Sequence, residues 1–432
     1  MPTAGHGLAE ELGWRSLVHQ LTDPETLAKA LDHDSLTVYC GFDPTADSLH
    51  LGSLLQLCNM RRLQEGGHRP IFLAGGGTGM IGDPGGKTEE RALLTRERLE
   101  ANLAGIRPQL ERFVDFGAGG GLLLDNGEWL WALSMLEFLR DVGKHFTVNQ
   151  MIAKESVRAR LEEREQGISY TEFSYMLLQA YDFLHLHDQY GCTLQIGGSD
   201  QWGNITMGVD LIRKLRGSQA FGLTSPLILR ADGTKFGKTE SGTNLWLDPR
   251  RTSPYQMFQF LLTTDDAVVG TYLRAFTWLP RERIEELDEL TASHPEQRAG
   301  ARELAMQVTA LVHGDDDARR AEEASRVLFS PEIASLDLDT LLDVLADAPR
   351  TVVATSRLAG EGASLVELLV ETGLCSSRGD AGRQVRQGAV RVNNQRIGAD
   401  EEQRRLVSAD LLHGRLVLLS RGKQSRHVLD VS

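Results

Sequence analysis

The stretch Thr37-Val38-Tyr39-Cys40-Gly41-Phe42-Asp43-Pro44-Thr45-Ala46-Asp47-Ser48-Leu49-His50-Leu51-Gly52-Ser53 decides the fold class. Its first six residues are mostly β-branched, aromatic or apolar and read as a strand. Asp43 to Ser48, with Pro44, reads as a turn. A helix is expected from about Leu49 through Arg62, with Ser48 or Asp47 as N-cap. Pro70-Ile71-Phe72-Leu73-Ala74 is a second apolar strand, and it runs into Gly75-Gly76-Gly77-Thr78-Gly79. Strand, turn, helix, strand opens a parallel α/β sheet. Ligands of such sheets sit beyond the carboxyl ends of the strands, where these turns fall.

Working outward, 432 residues suffice for two or three domains. The net charge of -14 argues against a general nucleic-acid binder. The tail differs: from Ala363 to Ser432 there are 11 Lys and Arg against 8 Asp and Glu, so a slightly basic end follows an acidic body. Cys40, Cys58, Cys192 and Cys375 are widely spaced with no CxxC pair, so neither a zinc site nor a disulfide framework is expected. No secretory signal and no membrane span are evident, and a cytoplasmic location follows as the expectation. Only 8 of the 46 basic residues are Lys, yet two lie within Lys235-Phe236-Gly237-Lys238-Thr239. Two mobile ammonium groups around a Gly suit a loop that closes on phosphate; a solvated hairpin turn is the plain alternative.

Leu194-Gln195-Ile196 is a further short strand, ending in Gly197-Gly198-Ser199-Asp200-Gln201. Between the strands, about Leu130 to Arg164 reads as helical, with Trp129, Trp131, Leu133, Met135, Leu136, Phe138 and Leu139 giving a large apolar face. Periodicity does not decide between core and subunit interface for that face. From about Thr252 to Val327 the pattern is helical and charged, and from Asp337 to Gly362 it weakens to an irregular region and linker.

Tyr175, Gln179 and Asp182 stand at i, i+4 and i+7, which puts them on one helical stripe. The other faces carry Met176, Leu177, Leu178, Phe183 and Leu184, so the helix reads as mostly buried. Polar groups on a buried helix need partners, and these three form either an internally bonded set or a wall facing a ligand. Gly86-Lys87-Thr88 and Gly237-Lys238-Thr239 each look like the end of a P-loop. Ile81 and Asp232 stand where its first Gly is required, so both fail.

The first stretch, with its His50-Leu51-Gly52-Ser53, and the segment Lys235 to Thr239 together resemble the HIGH and KMSKS signatures of class I aminoacyl-tRNA synthetases, in the form found in bacterial-type tyrosyl-tRNA synthetases. The resemblance covers about Glu11 to His427. It implies a Rossmann-like parallel-sheet catalytic domain (1–225) with a helical insertion at about 129–165 that serves a homodimer. A mobile loop and α-helical domain (226–335), an irregular linker (336–362) and a small α+β RNA-binding domain (363–432) follow. It implies ATP as substrate with Mg2+ carried by ATP, no prosthetic group and no metal held by the protein. L-tyrosine and tRNA(Tyr) are the other implied partners.

Residue by residue, the resemblance assigns His50, Thr45, Lys235, Lys238 and Thr239 to catalysis at the ATP phosphates. It assigns Tyr39, Asp83, Tyr175, Gln179, Asp182 and Gln201 to tyrosine, with Asp182 accepting from the phenolic hydroxyl and Tyr39 donating to it. Gly41, Asp43, His50, Gly52, Ser53, Lys87, Arg91, Gly198, Asp200, Lys235 and Lys238 are assigned to ATP. Ser53 departs from the His usual at the fourth HIGH position, which implies a weaker or water-mediated contact there. Arg378, Arg383, Arg386, Arg391 and Arg396 in the tail are the expected RNA contacts, on two short helices and a hairpin turning at Asn393-Asn394. A tryptophanyl-type synthetase and a non-catalytic RNA-binding protein on a synthetase body are the competing readings; Tyr39 and Asp182 oppose the first, and the intact His and Lys segments oppose the second.

Overall fold

The computed structural model describes residues 7–82, 95–154, 157–158, 161, 168–237, 242–346, 348–422 and 425–432. The chain divides into two compact units, Met1–Thr252 with Leu261–Val308, and Ser253–Phe260 with Thr309–Ser432.

The first unit is built on a six-stranded sheet: β1 (Gln20–Leu21), β2 (Thr37–Phe42), β3 (Arg69–Ala74), β4 (Leu122–Asp125), β5 (Cys192–Gly198) and β6 (Phe221–Ser225), in the spatial order β1-β6-β5-β2-β3-β4. All neighbours are parallel except the short edge pair β1 and β6. β3 and β6 are buried almost throughout, as expected of strands covered on both faces. From β2 the chain first builds outward through β3 and β4, then returns to add β5 and β6 on the other side. β2 and β5 therefore flank the point where the strand order reverses, and a crevice opens at their carboxyl ends.

The helix Tyr170–Tyr190 leads into β5. Ser169 and Glu172 form a capping box at its start, and Gly191, at φ +65°, ends it. Its buried side, with Met176, Phe183 and Leu184, joins Tyr39, Ile71, Leu73, Met207 and Leu211 in one core.

The helix foreseen from Leu49 begins as a 3-10 turn at Leu51–Ser53 and becomes α-helical only over Leu54–Glu65. His50 lies just ahead of it in extended conformation, and neither Ser48 nor Asp47 is the N-cap. The Ser48 hydroxyl is engaged elsewhere, donating to the Leu49 carbonyl and accepting from the Asp248 N–H. The long helix foreseen from Leu130 is a series of short pieces, Gly127–Leu130, Met135–Asp141, a 3-10 turn at Gly143–His145, and Val148–Ile152. Trp129 is buried, but Met135 is 69% and Leu136 80% exposed, so much of that apolar face is not core of this chain.

From Pro254 the chain is helical through Pro254–Leu262, Asp266–Phe276, Arg281–Ser293, Ala299–His313 and Asp315–Val327. In the second unit, β7 (Arg350–Val353), β8 (Ala363–Ser364), β9 (Val390–Val392), β10 (Gln395–Arg396), β11 (Arg405–Leu406), β12 (Leu416–Arg421) and β13 (Ser425–Val431) follow. Five of them form a sheet ordered β10-β9-β12-β13-β7. Asn393 and Asn394 turn the β9–β10 hairpin with φ +49° and +62°, the left-handed pair of a tight hairpin turn. One sheet face packs the helices Leu365–Glu371 and Arg378–Arg386 through Leu365, Leu369, Val385, Val392, Leu419 and Leu429. The other packs Leu418 and Val428 against Val327, Leu328, Ile333 and Leu341. Residues 336–362, foreseen as irregular, contribute the helix Leu338–Val344 and β7, which pairs in parallel with β13. Among the described residues no helix is long and apolar enough to cross a membrane.

Candidate functional site

The crevice is a cavity of about 570 Å³. Its lining includes Tyr39, Gly41, Asp43, Thr45, His50, Gly52, Ser53, Tyr175, Gln179, Asp182, Gly198, Asp200, Gln201 and Lys235. Segments separated by up to about 200 residues in sequence thus meet around one space. Asp83, Lys87, Arg91, Lys238 and Thr239, also expected at the site, lie outside the described residues. The expected RNA contacts Arg378, Arg383, Arg386, Arg391 and Arg396 belong to the C-terminal sheet and its helices.

The cavity has a buried polar floor. Tyr39 projects from β2, is 1% exposed, and packs edge-on to Phe183 at 5.2 Å. Among the described residues its hydroxyl has no hydrogen-bond partner. Burial and the neighbouring Asp182 charge hold its pKa well above the usual tyrosine range. Asp182 accepts from the Asn126 amide and from the Trp129 indole N–H, both at 2.8 Å. Burial nevertheless pushes its pKa up to about 7, against the pull of those two donors and with help from Asp43 and Asp125. Gln195 stands beside Tyr39 in the β2–β5 register, and its side-chain oxygen is also buried without a partner among the described residues. Buried polar atoms of this kind point to a ligand that carries both a donor and an acceptor.

The wall of the cavity is more tightly bonded. The Gln179 amide donates to the Gln201 side-chain oxygen at 3.3 Å, and the Asn204 amide donates to the side-chain oxygens of Gln179 at 3.0 Å and Gln201 at 3.2 Å. These bonds fix Gln179 on the stripe with Tyr175 and Asp182. At the end of β4, Asp125 and Asn126 accept from the N–H groups of Gly76 and Gly77, so the glycine loop after β3 is clamped.

Backbone contacts tie the first signature segment to residues 245–247, just beyond the second, at the mouth. The Leu51 N–H donates to the Leu245 carbonyl at 2.7 Å, and the Leu247 N–H to the Leu49 carbonyl at 2.9 Å, so His50 bridges to Trp246. Arg251 lies over the Trp246 ring and pairs with Asp47 at 2.9 Å. This pairing explains why the helix starts late: residues 49–51 are drawn into a β-bridge before helical geometry can begin. Gly237 has φ +92°, and a Cβ there would lie 2.7 Å from the Gly52 nitrogen. The preceding Phe236 is buried between Tyr272 and Phe276, at 4.7 and 5.1 Å. The helix Asp266–Phe276 that carries this pair is tied at its C-terminus by buried arginines. Arg62 donates to the carbonyls of Ala275 and Thr277, and Arg15 to those of Arg274 and Thr277.

Sequence reading missed Asn126, Trp129, Gln195 and Trp246. Asn126 was within reach, because it follows Leu122-Leu123-Leu124-Asp125, an apolar run ending in polar residues at a strand's carboxyl end. Trp129 was assigned only to an apolar face, and its indole N–H does polar work.

The raised Asp182 pKa fixes a pH dependence. Between about pH 4 and 7 the native chain keeps a proton that the unfolded chain has lost, so the group's contribution to stability declines as pH rises through that window. Asp182→Asn should therefore gain stability relative to the parent as pH is raised from 5 to 7.5. Urea midpoints across that range check this, and a parent–variant difference that stays flat with pH would refute it.

The family profile described as class I tRNA synthetases (W and Y) matches residues 31–330, and that of the tyrosine–tRNA ligase SYY-like C-terminal domain matches 344–429. The tyrosine–tRNA ligase of Roseiflexus castenholzii is 51% identical over 424 residues, 98% of this chain and 99% of that one. The tyrosine–tRNA ligase of Geobacillus stearothermophilus is 50% identical over 428 residues, with the same two shares. Among solved structures, the C-terminally truncated mitochondrial tyrosyl-tRNA synthetase of Aspergillus nidulans superposes with a TM-score of 0.66 at 30% identity, covering 75% of this chain and 94% of that one. With near-complete coverage at half identity, and with both halves of the family architecture matched, the chain belongs to the tyrosine–tRNA ligases, enzymes of the class I aminoacyl-tRNA synthetase group.

Proposed function

We propose that this chain activates L-tyrosine with ATP to tyrosyl-adenylate and pyrophosphate, then transfers the tyrosyl group to the terminal ribose of tRNA(Tyr), releasing AMP. The observation that carries this reading is the buried Tyr39 hydroxyl in the same cavity as Asp182. A phenol supplies both an acceptor for Tyr39 and a donor for Asp182. An indole N–H donates only, and a phenyl ring does neither, so tryptophan or phenylalanine would leave a buried group unpaired.

Tyr175 and Gln179 then hold the substrate's amino group, and Asp83 and Gln201 serve its ammonium and carboxylate end. The tyrosine carboxylate attacks the ATP α-phosphate, and pyrophosphate leaves. Thr45, His50, Lys235, Lys238 and Thr239 bind that leaving group more strongly as its charge grows, so positioning and charge lower the barrier without a covalent enzyme intermediate. Gly41, Asp43, Gly52, Ser53, Lys87, Arg91, Gly198 and Asp200 hold the nucleotide, and Mg2+ enters with it. Residues 1–225 act as the catalytic domain, 226–335 as the mobile loop and helical domain, 336–362 as the connection, and 363–432, with its arginines, as the RNA-binding domain. The exposed Met135, Leu136, Leu139, Val148 and Ile152 support a homodimer through the insertion. Four buried cysteines without disulfides are compatible with the cytoplasm.

Tyrosine-dependent exchange of labelled pyrophosphate into ATP, without tRNA, tests the reaction; exchange with tyrosine alone is expected. Exchange with tryptophan or phenylalanine would overturn the pocket assignment, and none at all would leave an RNA-binding body without catalysis. Gly237→Ala, forced against Gly52 and out of its φ, should slow single-turnover adenylation by about 10-fold or more while tyrosine affinity holds within about 2-fold. An unchanged rate would mean that the contact between the two segments is not part of the catalytic geometry. Sedimentation equilibrium should find the parent dimeric and a Met135→Glu, Leu136→Glu variant monomeric; a monomeric parent would remove the homodimer.

A further inference from the structure

Among the described residues the second unit exposes one large aromatic side chain, Phe329, at 67%. Isolated exposed apolar residues are ordinary, but this one is held in place. The Asn394 amide, at the hairpin turn, donates to the carbonyls on both sides of it, Leu328 at 2.8 Å and Ser330 at 2.9 Å. The backbone is thereby pinned with the ring outside. The Arg426 guanidinium lies over the ring, 4.1 Å from its centroid.

Arg426 also belongs to a row. Ser420 on β12 pairs with Arg426 on β13 and with Arg391 on β9, so these three share one sheet face. It is the face that, two residues along, carries Leu418 and Val428 onto Leu328. Among the described residues neither Arg391 nor Arg426 forms an ion pair with a carboxylate; Arg391 donates to the Gly422 carbonyl. On the helix Arg378–Arg386 the arginines are matched by acids: Arg378 pairs with Glu367, Arg383 with Asp380 and Arg386 with Glu402. The acids nearest Phe329 in sequence, Glu323 and Glu332, pair with Arg326.

We propose that Phe329, backed by Arg426, is a stacking platform for one unstacked base of the bound tRNA, with Arg391 taking a neighbouring phosphate. This rests on the tRNA-charging reading above. A flat ring fixed by its flanking carbonyls, one face against a guanidinium and the other open, suits the π-face of any base. Unpaired cations in the same row suit a phosphate backbone better than an apolar protein partner.

Binding of a tRNA(Tyr) transcript to the full-length chain tests it, through Phe329→Ala, Phe329→Leu and Phe329→Trp, each with its melting midpoint as the folding control. Alanine and leucine should each weaken binding about 10-fold without changing its salt dependence, and tryptophan should restore it. Arg391→Ala should instead lower the slope of log affinity against log salt by about 1. Leucine binding as tightly as phenylalanine would overturn the platform, because apolar area and not a π-face would then suffice. So would Phe329→Ala within 2-fold of the parent, including the case where it alters only the oligomeric state and the ring covers a second copy. A parent chain that neither binds nor charges tRNA(Tyr) would remove the ligase reading itself, a result distinct from a charging enzyme indifferent to Phe329.

Discussion

The placement of β2 between two parallel neighbours is the constraint from which the site follows. Because β3 lies on one side of β2 and β5 on the other, the connection leaving the carboxyl end of β2 toward β3 and the one leaving β5 toward β6 run in opposite directions. A gap must open there, and it is lined by whatever the strands carry at their ends. Tyr39 on β2, Asn126 after β4, Gly198 at the end of β5 and Asp200 and Gln201 after it reach the cavity for this reason. Asp182 comes from the helix that feeds β5. Its carboxyl is buried, and the two donors on it come from the segment after β4. Sheet order thus determines which side chains meet, and low dielectric determines how strongly they respond to a ligand.

A second constraint acts at the mouth. The backbone pairing of 49–51 with 245–247 brings a segment from each end of the first 250 residues into register. Gly52 and Gly237 then meet at a distance that only glycine allows at residue 237. Phe236, one residue away, is sunk among Tyr272 and Phe276. The described part of the loop is therefore anchored on its N-terminal side by aromatic packing, and Lys235 projects from that anchor into the cavity. Anchoring one end of a phosphate-binding segment lowers the entropy lost when it engages a ligand.

Local chemistry explains which features were legible in the sequence. β2, β3 and the core of β5 announce themselves as apolar runs. The stripe Tyr175, Gln179, Asp182 was legible because helical period alone sets it. The hairpin at Asn393-Asn394 was legible because few residues other than glycine accept two successive positive φ values. The late start of the helix at Leu51 was not, because the competing partner is the segment Leu245–Leu247, nearly 200 residues away. β7 was hidden for the same reason: Arg350–Val353 has little pattern of its own and exists by pairing with β13. The apolar face of the insertion shows the other limit. A run of Trp, Met, Leu and Phe states that area must be covered and says nothing about whether this chain or another covers it.

The second unit carries the same logic to its two faces. β12 and β13 are each buried on both sides, Leu419 and Leu429 toward the helices Leu365–Glu371 and Arg378–Arg386, Leu418 and Val428 toward the helices before β7. A strand pair used on both faces cannot be removed without uncovering both cores, so the C-terminal sheet is a structural member of its unit as well as its basic end. Where the apolar cover on the second face runs out, the same alternation that buries Leu418 sets a buried Ser420 between the half-buried Arg391 and Arg426. The boundary between a core and a charged surface on one sheet face is then set by where the segment 324–330 stops, and Phe329 stands at that edge.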